Sequence, residues 1–356
     1  MGSRQEQFSG SGAVRRGHEL DAQRLQEYLA DHVHGFTGPL EVKQFRGGQS
    51  NPTYLLRAAS GQYVMRRKPP GNLLKSAHAV DREFRVISAL HRVGFPVPKP
   101  LLLCEDESVA GTMFFIMEFV EGRVFWDLDL PGLERDERSA IYDNVNQTIA
   151  DLHNLDYAAL GLADYGKPGN YFARQISRWS KQYAASETSD IPEMNQLIEW
   201  LPQNIPDDDS SSIVHGDFRL DNMILHPTEP RVIAVLDWEL STIGHPIGDF
   251  TYHLMSWQMP DIGIGSAGLK NSDLGALGIP SEEDYVTLYC ERTGRSGGIP
   301  NRDFYAAYNF FRIAAILQGI AGRVRDGTAA SAHAAKTAQA VAPLAELGWS
   351  YAQKAA

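Results

Sequence analysis

Asp217, Asn222 and Asp237 are the residues whose types and spacing best suit chemistry in this chain. Asp217 closes the triplet His215-Gly216-Asp217, Asn222 follows five positions later, and Asp237 opens Asp237-Trp238-Glu239 at the end of an apolar run. Residues 223–225 and 232–236 read as two strands joined by a Pro-containing turn, and such a hairpin returns Asp237 to the side of Asn222. That gathers one potential proton acceptor and two oxygen ligands. Phosphoryl transfer to a hydroxyl needs this set: a carboxylate to orient the attacking group, and hard oxygens to hold magnesium on nucleotide phosphates. The competing reading, in which Asp217 and Asn222 merely cap turns, gives no reason for the three positions to fall in register.

Composition narrows the classes. A chain of 356 residues has room for two lobes and a sizeable core, and its 43% hydrophobic and 22% charged content are ordinary for a globular protein. A net charge of −11 argues against a nucleic-acid surface, which calls for clustered Lys and Arg. It does not argue against a nucleotide, because magnesium offsets the repulsion locally. Cys104 and Cys290 stand far apart and define neither a disulfide framework nor a zinc site. No apolar run is long enough to cross a bilayer and no signal-peptide pattern is present, so the expected setting is cytoplasmic, without a membrane partner. The polar, Gly/Ser-rich start reads as a flexible tail over residues 1–18.

Around the three residues, the elements follow from periodicity. Residues 20–34 form a short helix, and residues 40–45, 53–58 and 62–67 alternate as strands. The turn at 46–52 holds Gly47, Gly48, Ser50 and Asn51. It is either an ordinary hairpin or a loop whose backbone N–H groups lie over phosphates. Arg66, on the third strand, is either a phosphate contact or a solvated strand end. An amphipathic helix over 77–93 carries Glu83, either a surface residue or a partner of Arg66, and the prolines at 96, 98 and 100 end it. Strands at 101–105 and 112–119 complete five. Glu118 and Val120 follow where a backbone could meet a base edge.

Beyond Gly122 the chain turns helical: residues 135–154, 282–293, 303–324 and an Ala-rich stretch at 328–353. His153 reads as structural, and Phe172, Ile176, Trp179 and Tyr183 as a core stripe. The run from Gly161 to Lys167 imitates a P-loop but is followed by Pro168 and preceded by helix, so that reading fails. Asp207, Asp208 and Asp209 read as a solvated loop, and residues 260–281 as an irregular Gly-rich one.

His215-Gly216-Asp217, Asn222 and Asp237-Trp238-Glu239 resemble, position for position, the aminoglycoside phosphotransferase-like branch of the protein-kinase fold. The loop at Gly47, Gly48, Ser50 and Asn51 looks like the nucleotide loop of that family. Residues 161–179 resemble the subgroup found beside, or fused to, acyl-CoA dehydrogenases. The resemblance spans residues 42–324 and implies an α+β, bilobal kinase-like fold. Its parts would be a nucleotide-binding lobe at 19–121, with a five-stranded antiparallel sheet and one helix, and a mainly helical lobe at 122–356. It implies ATP and Mg2+ as cofactors, Asp217 as the catalytic acid–base group, and Asn222 and Asp237 as metal ligands. Arg66, steadied by Glu83, would contact phosphates, although Arg stands where such enzymes usually carry Lys. Glu239 would serve a second metal, and Asp249 would brace the catalytic loop.

The acceptor would be a small-molecule hydroxyl. The subgroup favours a hydroxyacyl-CoA or hydroxy acid over an aminoglycoside or choline, with a functional link to an acyl-CoA dehydrogenase. Arg174, Arg178, Arg312, Arg323 and Arg325 are either contacts to an anionic acceptor or ordinary surface charges. The reading from another class is a nucleotide-binding module without phosphotransfer. The Arg at position 66 supports that reading, and retention of Asp217, Asn222 and Asp237 opposes it.

Overall fold

The computed structural model describes residues 10–46, 51–69, 79–260, 268–327 and 334–355. In chain order its elements are β1 (Ser11–Gly12), α1 (Ala22–His32), β2 (Glu41–Phe45), β3 (Thr53–Ala58), β4 (Gly61–Arg67), α2 (Val80–Arg92), β5 (Pro100–Cys104), α3 (Glu107–Ala110) and β6 (Phe114–Glu118). There follow α4 (Arg135–Asn154), α5 (Tyr171–Ser186), α6 (Pro192–Trp200), β7 (Ser212–Val214), β8 (Met223–Leu225), β9 (Val232–Val235), β10 (Thr242–Gly244) and α7 (Pro246–Gln258). The chain ends with α8 (Leu274–Leu277), α9 (Glu282–Arg292), α10 (Arg302–Arg325), α11 (Ala334–Ala338) and α12 (Val341–Lys354).

Two compact units result, and neither is one continuous segment. Unit 1 takes residues 1–126, 158–162 and 220–241, and unit 2 takes 127–157, 163–219 and 242–356. The hairpin between Asn222 and Asp237, expected in the helical lobe, therefore clusters with the sheet. Strand pairing explains this: Arg123 and Leu225 exchange backbone hydrogen bonds of 2.8 Å in both directions, and Val235 N donates to Pro96 O at 2.8 Å.

Unit 1 is built on an antiparallel sheet of order β1-β2-β3-β4-β6-β5. It has six strands rather than five. The extra one comes from the expected tail, where Ser11 pairs with Phe45 and Gly12 with Gln44. Residues 15–18 are tied down as well: Arg15 N donates to Gln44 Oε1 at 2.9 Å and Tyr54 OH to His18 O at 2.8 Å. These bonds satisfy an edge that would otherwise present unpaired N–H and C=O groups. One face of the sheet buries Tyr54, Leu56, Met65, Phe114 and Ile116 against Leu25 and Leu29 of α1. On α2, Val80, Glu83, Ile87 and Leu90 recur at helical spacing and are all buried, so a carboxylate occupies an otherwise apolar stripe.

Unit 2 is mainly helical. α10 packs against α5, α7 and α12, and α4 against α9. The stripe Phe172, Ile176, Trp179 and Tyr183 is buried as expected. A two-stranded ribbon, β7 with β10, was not anticipated: three-residue strands carry too little alternation to read. The Ala-rich tail forms two helices, α11 and α12, instead of one. Among the described residues no helix is long and apolar enough to cross a membrane.

Candidate active site

Unit 1 holds a cavity of about 630 Å³. Val64, Ile87, Met117 and Ile224 give it apolar walls, and Arg66, Glu83, Asn222 and Asp237 give it one charged end. The hairpin β8–β9 brings Asn222 and Asp237 together. Met223 pairs with Val235, and Leu236 N donates to Asn222 O at 2.8 Å, so the residues on either side of that pairing become neighbours. Asp237 sits in the left-handed region at φ 66° and ψ 57°, a conformation that costs an ordinary residue about 1–2 kcal/mol. Such strain is commonly kept where a side chain must point at a ligand.

Arg66 is buried, which overturns its reading as a solvated strand end. Its Nε lies 2.8 Å from Glu83 Oε2, its Nη2 pairs with Asp237 Oδ1, and the same Nη2 lies 3.3 Å from Glu239 Oε2. Glu239 also accepts from Asn51 Nδ2 at 3.1 Å. Asn51 is thus a buried strut. One guanidinium faces three carboxylates, a local excess of two negative charges. Burial, which alone would weaken the cation, is outweighed by Glu83, Asp237 and Glu239, so Arg66 stays charged with its pKa raised. Burial first, then repulsion from Asp237 and Glu239, pushes the Glu83 carboxyl up to about 7 against the pull of Arg66. The cluster is short of positive charge.

That donor set fits magnesium. The ion takes hard oxygen ligands and is usually held by one or two carboxylates, the rest of its shell coming from water and substrate phosphates. Glu118 and Val120 also line the cavity. Among the described residues Val120 makes no backbone hydrogen bond, which leaves its polar groups for a ligand edge. Gly47, Gly48 and Ser50, expected over the phosphates, lie outside the described residues.

In unit 2, Asp217 follows β7 on a loop whose Gly216 has φ 84°, a value that suits glycine. Asp249 at the start of α7 accepts from His215 N at 2.7 Å and Gly216 N at 2.8 Å, the bracing role expected of it. Burial opposes the Asp249 charge, yet His153, His215 and the N–H bond hold its carboxyl below the usual range. His153 lies 3.4 Å from Asp249 and 2.7 Å from Tyr289 OH, a structural link in this brace. Asp217 Oδ1 accepts from Tyr252 OH at 2.5 Å and lies 3.2 Å from Arg219 Nε. Its burial would raise the carboxyl, but Arg219, the Tyr252 hydroxyl, His215 and Arg312 together hold it below the usual range. A carboxylate kept ionised can orient a hydroxyl and take its proton.

Several expected roles change. Arg312 is buried and donates to Gly216 O at 2.7 Å. Arg174 donates to the carbonyls of Gly169 and Lys167, and Arg325 to Glu187 O and to Asp326. Arg178 lies over the Trp179 ring. The acidic loop is not simply solvated. Asp208 lies 3.4 Å from His245 and 3.7 Å from Arg295, and Asp209 accepts from Asn170 N at 2.6 Å. Tyr252 escaped the sequence reading, although its place three residues after Asp249 puts both on one side of α7.

The fold, the strained aspartate and the braced carboxylate define a kinase-like phosphotransferase architecture. The profile of the phosphotransferase enzyme family matches residues 41–274, and the chain belongs to that family. Mouse acyl-CoA dehydrogenase family member 10 is 46% identical over 343 residues, covering 96% of this chain and 32% of the relative. Human acyl-CoA dehydrogenase family member 11 is 47% identical over 340 residues, covering 93% of this chain and 43% of the relative. The chain therefore spans less than half the length of these relatives. A crystal structure from Ralstonia eutropha JMP134, a provisionally assigned aminoglycoside phosphotransferase, is 55% identical with a TM-score of 0.86, covering 94% of this chain and 99% of that one. A thermostable mutant of aminoglycoside phosphotransferase APH(4)-Ia, complexed with ADP and hygromycin B, shares the fold at 14% identity and a TM-score of 0.59, covering 92% and 98%.

Proposed function

We propose that the chain moves the γ-phosphate of ATP to the hydroxyl of a small molecule in a magnesium-dependent reaction. The observation that carries this is the charged end of the unit 1 cavity, where Asn222 and Asp237 join a cluster short of positive charge. Family membership supports the reaction class. Asn222 and Asp237 would hold the metal, and Arg66 would exchange part of its contact with Asp237 for phosphate oxygens while Glu83 keeps it in place. When bound, magnesium would offset charge on the transferring phosphoryl group. Glu118 and Val120 would meet the base edge. Asp217 would orient the acceptor hydroxyl and take its proton, so positioning and electrostatics supply the catalysis.

For the acceptor we favour a hydroxyacyl-CoA or related hydroxy acid, because the relatives named as acyl-CoA dehydrogenase family members carry this domain. The same likeness supports a functional partnership with an acyl-CoA dehydrogenase. Cys104 and Cys290 are both free and buried, which suits a reducing cytoplasmic setting. The test is magnesium-dependent ADP release against hydroxyacyl-CoA thioesters, aminoglycosides, choline and amino alcohols, with Asp217→Ala as control. Stimulation by the thioesters, lost in the variant, is expected. Tight Mg-ATP binding with no stimulation by any hydroxyl compound would leave a nucleotide-binding module instead.

A further inference from the structure

Asp217 is the one group to which the proposed reaction assigns proton transfer, and its surroundings in unit 2 are unusually directed. Tyr252 OH and Arg219 Nε both approach the same oxygen, Oδ1, at 2.5 and 3.2 Å. The two donors differ in kind. Arg219 is about half exposed, so solvent screens it, whereas Tyr252 is buried on α7 and cannot trade its partner for water. Behind Tyr252 stands Arg312 of α10, its guanidinium 5.0 Å from the ring centroid. The same guanidinium donates to Gly216 O at 2.7 Å, so it holds the backbone next to Asp217 as well as the ring that holds its carboxylate. His215, on the same loop, also favours the Asp217 charge, and its Nδ1 accepts from Asp217 N at 3.2 Å.

We propose that Tyr252 and Arg312 are positioning residues for Asp217. The Tyr252 hydroxyl fixes Oδ1 and stabilises its charge, and Arg312 polarises Tyr252 while tying down Gly216. Tyr252 stays protonated throughout: burial, then the Asp217 charge, push its own pKa upward. A cation against the face of a phenol draws electron density from the ring, which makes the O–H a better donor. No proton leaves Tyr252 in this role. Its effect is to keep Asp217 ionised and aimed at pH values where an unassisted buried carboxyl would be protonated. The catalytic importance of the brace rests on the phosphotransferase reading; its existence does not.

The experiment follows the Asp217 carboxyl carbon by NMR in protein labelled at aspartate, with Asp217→Asn used to assign the signal. A hydrogen bond to a charged acceptor is worth enough that Tyr252→Phe should raise the Asp217 titration midpoint by about one to two pH units. Arg312→Met should raise it by a smaller step, about half a unit or more, since Arg312 is the weakest of the four groups that favour the Asp217 charge and acts both directly and through Tyr252. In the native protein the Cζ signal of one labelled tyrosine should move at the Asp217 midpoint, and Asp217→Asn should abolish that movement. This arm needs no Tyr252 variant to fold. In turnover, the acid limb for Tyr252→Phe should move up by the same amount, with kcat reduced more than KM is changed. Coincident Asp217 midpoints in native and Tyr252→Phe protein, or a tyrosine signal blind to Asp217, would overturn the proposal. A Tyr252-dependent midpoint without transfer to any acceptor supports the brace and removes the phosphotransferase reading. Transfer with coincident midpoints does the reverse.

Discussion

The two units handle clustered carboxylates in opposite ways. In unit 1, Glu83, Asp237 and Glu239 share one guanidinium, and burial first, then repulsion from Asp237 and Glu239, raises the pKa of Glu83 to about 7. In unit 2, Asp217 and Asp249 are each surrounded by donors, and both are held below the usual carboxylate range. The difference lies in the partners that each carboxylate meets. Under the proposed function, the site that balances its own charges would serve proton chemistry, and the site short of positive charge would receive a cation.

Asp217→Asn gives the sharpest break, because it removes the proposed proton acceptor while leaving unit 1 untouched. Transfer should fall about a thousandfold or more, in line with the contribution of a positioned acid–base group. Nucleotide binding, measured by calorimetry, should persist; a matching loss of binding would mean that unit 2 does not keep its role separate. Asp249→Ala comes next. It strands the His215 and Gly216 N–H groups, and urea midpoints should show a loss of roughly 3–5 kcal/mol. A change under 1 kcal/mol would show that water replaces the brace.

The third prediction concerns pH. His253 is fully buried: its Nδ1 donates to Phe218 O at 3.2 Å and its Nε2 accepts from Tyr285 OH at 3.0 Å. Burial lowers its pKa from 6.5 to about 4. Below the unfolded value the unfolded chain takes up the proton more readily, so this contribution is whole above pH 6.5 and declines towards pH 4. The decline should amount to roughly 3 kcal/mol and should vanish in His253→Gln. An unchanged pH slope in the variant would assign the decline to other groups. The smallest effect is expected in unit 1. Glu83→Gln loosens Arg66 without touching Asp237, and Mg-nucleotide affinity should weaken about tenfold, as is usual for a partner one shell removed from a metal. Unaltered affinity would show that Arg66 needs no anchor.

Much of this was legible beforehand. Residues 53–58 and 135–154 match the elements β3 and α4 to the residue, because turn residues bound the first and a period of about 3.6 marks the second. The approach of Asn222 to Asp237 was legible because a hairpin is local, and Leu236 N to Asn222 O closes it. The six-stranded sheet was not legible. Ser11 and Gly12 have no strand character of their own, and only the open edge of β2 makes them a strand.

By itself, the sequence determined what depends on short range: helix faces, hairpins, the order of the candidate catalytic residues, and the family they identify. Tertiary structure alone decided which distant groups set each other's charge. Arg66 meets Asp237 across 171 positions, Tyr252 meets Asp217 across 35, and Arg312 meets Gly216 across 96. The reason is physical. Periodicity records which face of an element is buried, but a pKa depends on every charge and donor within a few ångströms, and those arrive by packing.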